Sequence, residues 1–121
     1  MRRGAVSNDA ASPDALQEKR VVLKHYVYLL LLGNGQLYTG YTTDLRRRMR
    51  EHEGGQVDST AHRQPVELIH AEAYLLEADA RRRERFLKTT EGKRLLRQQI
   101  RDALTAKGVL RASLDLPLRP E

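Results

Sequence analysis

The chain contains no cysteine. That absence removes disulfide staples, thiolate zinc sites and cysteine nucleophiles, and it agrees with a reducing cytoplasm. A long apolar run is also missing. The longest, Tyr26 to Leu32, has seven residues, whereas a membrane-spanning helix takes about 18 to 20. The opening MRRGAVSNDAASPDAL has two arginines but no apolar h-region, and Asp9 and Asp14 do not suit a transit peptide. A cytoplasmic protein with no membrane partner is expected.

What is present is a chain of 121 residues, the size of one domain, with 40% apolar residues before its eight glycines are counted. A compact core follows. Lysine and arginine number 22 against 16 acidic residues, a net charge of +6. Such a balance points to a polyanionic partner. The excess is concentrated, because residues 81–101 hold nine basic side chains against only Glu84 and Glu91. A charge run of this kind also arises as a plain solvated helix face.

Residues 1–23 and 109–121 lack a sustained apolar period and read as flexible tails around a domain at 24–108. Lys24–Leu32 is rich in strand formers, Gly33-Asn34-Gly35 signals a turn, and Gln36–Thr42 is a second strand. Thr42 or Thr43 is placed to cap a helix from Asp44 to about Glu53, which Gly54-Gly55 ends. A polar loop then leads to Pro65, and Val66–Tyr74 reads as a third strand of imperfect period. Leu76–Thr89 is a helical segment, and a last helix after Gly92 carries Leu96, Ile100, Ala103 and Leu104 on one stripe before Gly108. The order is ββαβαα, an α+β fold.

Four arginines crowd the first helix, and the 3.6-residue period separates them. Leu45, Arg48, Met49 and His52 share one stripe, whereas Arg46, Arg47 and Arg50 point elsewhere. Arg48 and His52 would then lie one turn apart at the edge of the core. A guanidinium fork suits phosphate, and an imidazole moves protons near neutral pH. Both side chains could equally snorkel at the core margin.

On the second helix Glu84 falls within the apolar stripe of Leu76, Ala80 and Leu87. A carboxylate so placed needs a partner, either Arg81 or Lys88 on the same helix or a hard divalent cation. With one carboxylate as ligand, such an ion would take waters and a substrate phosphate as well. The hairpin adds phenols. A three-residue Gly33-Asn34-Gly35 loop with Gly35 left-handed puts Leu30 opposite Tyr38 and Tyr28 opposite Gly40, so Tyr28 and Tyr38 share a face. A two-residue Asn34-Gly35 turn would send Tyr38 to the other face.

The run YVYLLLLGNGQLYTGYTTDLRRRMREH resembles the first half of a GIY-YIG nuclease domain, of the small bacterial kind related to the nuclease module of the bacterial excinuclease. Tyr26-Val27-Tyr28 stands where Gly-Ile-Tyr is usual, and Tyr38-Thr39-Gly40 where Tyr-Ile-Gly is usual. Arg48 matches the catalytic arginine, His52 follows at the family's spacing, and Glu84 falls at the metal-binding glutamate. Tyr41 stands where many members have a lysine. The resemblance spans residues 24–107 and implies a three-stranded antiparallel sheet flanked by helices. It also implies an endonuclease of DNA using Mg²⁺, or Mn²⁺, in repair or recombination.

In that scheme Tyr28, Tyr38, Arg48, His52 and Glu84 are the catalytic residues, with Glu84 on the metal. Arg47, Lys88, Lys93, Arg94, Arg97 and Arg101 would track the phosphate backbone without reading sequence. RNA is left open as a substrate, as is the oligomeric state. Two alternatives stand beside the enzyme. One is a nucleic-acid-binding module of the same fold with little turnover, and the other is a basic adaptor for an acidic protein surface.

Overall fold

The structure, a computed structural model, describes residues 22–109. The expected tails therefore lie almost entirely outside the described residues. A central strand β1 (His25–Leu31) pairs antiparallel with β2 (Leu37–Thr42) on one side and with β3 (Glu67–Tyr74) on the other. Helices α1 (Leu45–Glu53) and α2 (Asp58–Ala61) lie between β2 and β3 in the chain. Helices α3 (Glu77–Leu87), α4 (Thr90–Gln99) and α5 (Arg101–Ala106) follow β3. The fold is α+β, a three-stranded antiparallel sheet in the order β2-β1-β3 with helices around it.

β1 is central because it is apolar on both faces, as a doubly covered strand must be. Val27 and Leu29 join Ala80, Leu87 and Leu96 in one core cluster beneath α3 and α4. Tyr28, Leu30 and Leu32 form a second cluster with Tyr38, Leu45, Met49 and Val66, so α1 covers the opposite face. The hairpin has the three-residue loop: Leu30 pairs with Tyr38 and Tyr28 with Gly40. Gly35 sits at φ +88°, in the left-handed region that its lack of a Cβ makes accessible.

Several local details differ from expectation. The cap of α1 is Asp44, whose side chain accepts from the Arg47 N–H at 3.0 Å. Thr42 instead accepts from the Asp44 N–H and steadies the cap. The loop before Pro65 contains α2, a single turn too short for any period to show. The last helical segment starts at Thr90, capped by Thr89, and divides at Ile100, where φ −110° and ψ 29° leave helical geometry. On β3 a bulge between the partners of Leu29 and Leu30 places Ile69 out of step. That extra residue accounts for the imperfect alternation of the strand.

Glu72 on β3 ties the sheet to α3. Its carboxylate accepts two hydrogen bonds from Arg83, at 2.9 and 3.1 Å, one from Tyr74 at 2.6 Å and one from His70 at 2.9 Å. Burial alone would raise the carboxyl, but these donors override it and hold the group down at about 2, against an ordinary 4.5. Burial and the same carboxylate push the Tyr74 phenol up to about 12. A carboxyl depressed on folding stabilises the protein above its unfolded value and loses that contribution as pH falls through the folded one. Denaturant unfolding should therefore show a loss of about 3 kcal/mol between about pH 4.5 and 2. Glu72→Gln should flatten that acid limb; an unchanged limb would show that Glu72 is not its source.

Candidate active site

The centre of the site is a buried phenol–imidazole pair. Tyr28 projects from β1 on the face covered by α1, and its ring crosses to β2 over Gly40. A Cβ at position 40 would overlap the ring and its hydroxyl, so the glycine is a steric requirement. The Tyr28 hydroxyl lies 2.8 Å from His52 Nε2. Tyr38, from the facing strand, stands 6.4 Å from Tyr28 between ring centroids. Both rings meet His52 edge-on, at 5.6 and 5.3 Å.

The helical period of α1 brings the other two groups in. Leu45 and Met49 seat the helix on the sheet, and Arg48 and His52 follow on the same stripe while Arg46, Arg47 and Arg50 are exposed. His52 goes deeper than the margin expected of it: it is 0% exposed. Burial, and then the positive charge of Arg48, lower its pKa below the ordinary 6.5, with Glu51 opposing. The imidazole is therefore neutral at pH 7. Arg48 donates to Glu51 Oε1 at 2.8 Å and lies beside the Tyr28 hydroxyl, and both contacts raise its own pKa.

The direction of the Tyr28 bond follows from burial. With 1% of the residue exposed, its O–H needs a protein acceptor. Arg48 only donates, so Nε2 of neutral His52 is left to receive that proton. Burial raises the Tyr28 pKa above 10.0, with Tyr38 and Glu84 adding to it and Arg48 opposing. Tyr28 is a poor tyrosinate but a well-oriented hydroxyl.

Glu84 comes from α3. Its side chain is 15% exposed and faces Lys88 at 3.1 Å and Arg81 at 3.9 Å, the two helix partners open to it in the sequence. Its charge nonetheless reaches the site, because it raises both the Tyr28 and the Tyr41 phenols. The Arg81 guanidinium lies 3.9 Å over the Tyr41 ring, and the Tyr41 hydroxyl is 2.8 Å from His25 Nδ1. Among the described residues no three acidic or histidine side chains converge as a metal cage. The Glu84 carboxylate has the chemistry of a single oxygen ligand for a hard dication, which would need water and substrate oxygens besides.

The proposed backbone contacts are dispersed. Arg47 is exposed near Glu51, Lys88 faces Glu84, and Arg94 pairs with Glu91 at 2.7 Å. Lys93 and Arg97 line a cavity of about 810 Å³ with Leu29, Leu37 and Leu96, on the side of the sheet away from Tyr28 and Tyr38. Arg101 is exposed on α5. A further residue, Thr60, belongs to this group although no motif or period in the sequence marks it. It is fully buried on α2, with Oγ1 2.8 Å from His52 Nδ1. A loop without period offered no signal for it.

A GIY-YIG catalytic domain matches residues 24–97. The chain belongs to the GIY-YIG family. The family is one of nucleases, which act on nucleic acid and typically use a divalent metal. Among its relatives, a UPF0213 protein of Haloquadratum walsbyi is 42% identical over 78 residues, 62% of this chain and 88% of that one. A UPF0213 protein of Staphylococcus epidermidis is 40% identical over 67 residues, 54% of this chain and 82% of the relative. The solution NMR structure of a UPF0213 protein from Bacillus halodurans is 35% identical and covers 63% of this chain and 84% of its own, with a TM-score of 0.43. In GIY-YIG terms, the first motif contributes Tyr28 and the second Tyr38 and Gly40. Their adjacency across the hairpin explains why a tyrosine in one is matched by a glycine in the other.

Proposed function

We propose that the protein is a Mg²⁺-dependent endonuclease that hydrolyses phosphodiester bonds in DNA. The carrying observation is the hydrogen bond from the buried Tyr28 hydroxyl to a neutral His52, with Arg48 alongside. As water attacks phosphorus, its proton passes to the Tyr28 oxygen while the Tyr28 proton moves to His52 Nε2. Tyr28 thus conveys a proton without ever becoming a free tyrosinate, which its raised pKa disfavours. Arg48 offers N–H donors to the charge that develops on the phosphoryl oxygens. Tyr38 packs against His52 beside the Tyr28 ring, where it would help to orient the attacking water. Glu84 would hold the divalent ion, which when bound supplies charge neutralisation at the scissile phosphate.

The test is a cleavage assay on branched, nicked and single-stranded DNA with Mg²⁺, Mn²⁺ or chelator, comparing wild type with Tyr28→Phe. Metal-dependent product from wild type, lost on the order of 10²-fold or more in the variant, is expected. Because His52 must be neutral, the rate should rise with pH to a midpoint below 6.5 and then level, with no second rise below pH 10. A second reading, a binding module without turnover, draws on the ion pairs that already engage Arg48 and Glu84. Binding with a steep salt dependence but no cleavage under any metal would decide for it.

A further inference from the structure

We infer that Thr60 is a positioning residue that selects the tautomer of His52 and so aims the Tyr28 proton into the relay. His52 is 0% exposed, so each of its nitrogens must be satisfied by protein. Nε2 faces the Tyr28 hydroxyl at 2.8 Å, and Nδ1 faces Thr60 Oγ1 at 2.8 Å. A neutral imidazole carries one proton, on one nitrogen or the other.

Both ends of the chain favour the same choice. At one end the Tyr28 O–H is buried beside the donor-only Arg48, and Nε2 is its acceptor. At the other end Thr60, itself 0% exposed, donates from Oγ1 toward the Val57 carbonyl at 3.4 Å. Its oxygen is then free to accept. The proton of His52 therefore sits on Nδ1, and the bonds run in one direction from Tyr28 through His52 and Thr60 to the backbone of Val57. Were Thr60 to donate to Nδ1 instead, Nε2 would carry the proton and the Tyr28 hydroxyl would lose its acceptor.

The surrounding chain holds Thr60 in place for this. Gln64 Nε2 donates to the His52 carbonyl at 2.7 Å and to the Thr60 carbonyl at 3.4 Å, tying α2 to the end of α1. The single turn of α2 has no side-chain cap of its own. Its position comes from these contacts, which place the hydroxyl against the ring. Thr60 touches neither substrate nor metal in this scheme and acts only through His52.

The consequence for catalysis rests on the nuclease reading, but the tautomer does not. Long-range ¹H–¹⁵N correlation NMR on the full chain, without DNA or metal, reads which His52 nitrogen is protonated. Wild type should show the Nδ1–H form, Thr60→Val should move the proton to Nε2, and Thr60→Ser should restore Nδ1–H. An Nε2–H ring in wild type, or an unchanged Nδ1–H ring in a folded Thr60→Val, would overturn the inference. If the valine variant does not fold, Thr60→Ala, which also removes the hydroxyl, should show the same move to Nε2–H, and an Nε2–H ring in Thr60→Ser would overturn the inference. In the cleavage assay Thr60→Val should lose on the order of 10²-fold in rate with DNA affinity unchanged, and Thr60→Ser should recover it. Equal rates for Thr60→Val and wild type would overturn the catalytic part. A wild type that cleaves nothing but shows the Nδ1–H ring would sink the nuclease reading while upholding the assignment of Thr60.

Discussion

Glu84→Ala is expected to bring metal-dependent cleavage down to background while the protein remains folded. The side chain is three-quarters or more covered, yet its two ion-pair partners, Lys88 and Arg81, are both substantially exposed. Pairs of that kind contribute about 0 to 1 kcal/mol, so their loss leaves a stable chain. The catalytic loss should be far larger, because among the described residues no group of three or more acidic or histidine side chains could hold the ion without it. Glu84→Gln keeps the shape and removes the charge, and it should be equally inactive. DNA binding measured without metal should be nearly unchanged in both. Retained cleavage in either variant, from a preparation free of other nucleases, would remove Glu84 from the site.

Arg48→Ala should lower the rate about 10²- to 10³-fold, the scale of losing one donor to a developing oxyanion. Arg47→Ala, on the neighbouring exposed position, should change mainly the salt dependence of binding. The two residues share Glu51 as a partner, at 2.8 Å for Arg48 and 3.7 Å for Arg47. Loss of that ion pair is thus common to both variants, and the contrast isolates the position beside Tyr28. A second readout has a definite sign. The Arg48 charge helps depress the His52 pKa, so its removal should move the acid limb of the rate profile to higher pH. Indistinguishable rates and profiles for the two variants would show that Arg48 acts only as a surface charge.

Much of the candidate site's geometry was legible in the sequence because it depends on local structure. The three-residue turn at Gly33-Asn34-Gly35 sets the hairpin register, and the register alone puts Tyr28 opposite Gly40 and on the face of Tyr38. Likewise the period of α1 singles out Arg48 and His52 among five basic neighbours, whatever the helix packs against. The candidate partners of Glu84 were readable from the same rule, since Arg81 on α3 and Lys88 at its C-cap lie one turn to either side.

Other features required the chain to fold back on itself. Nothing in residues 54–64 marks Thr60, because the contact that matters joins two segments through a buried ring and leaves no periodic trace. The sequence showed that residues 81–101 are basic, but packing of α4 determined that Lys93 and Arg97 face a cavity on the far side of the sheet from the phenols. It also decided that His52 is fully enclosed, and so neutral and able to accept from Tyr28. Amino-acid order by itself determined which residues share a turn or a stripe, since bond geometry propagates only a few residues. The tertiary structure decided burial, and with it which protons each group keeps, because the cost of a charge depends on everything packed around it.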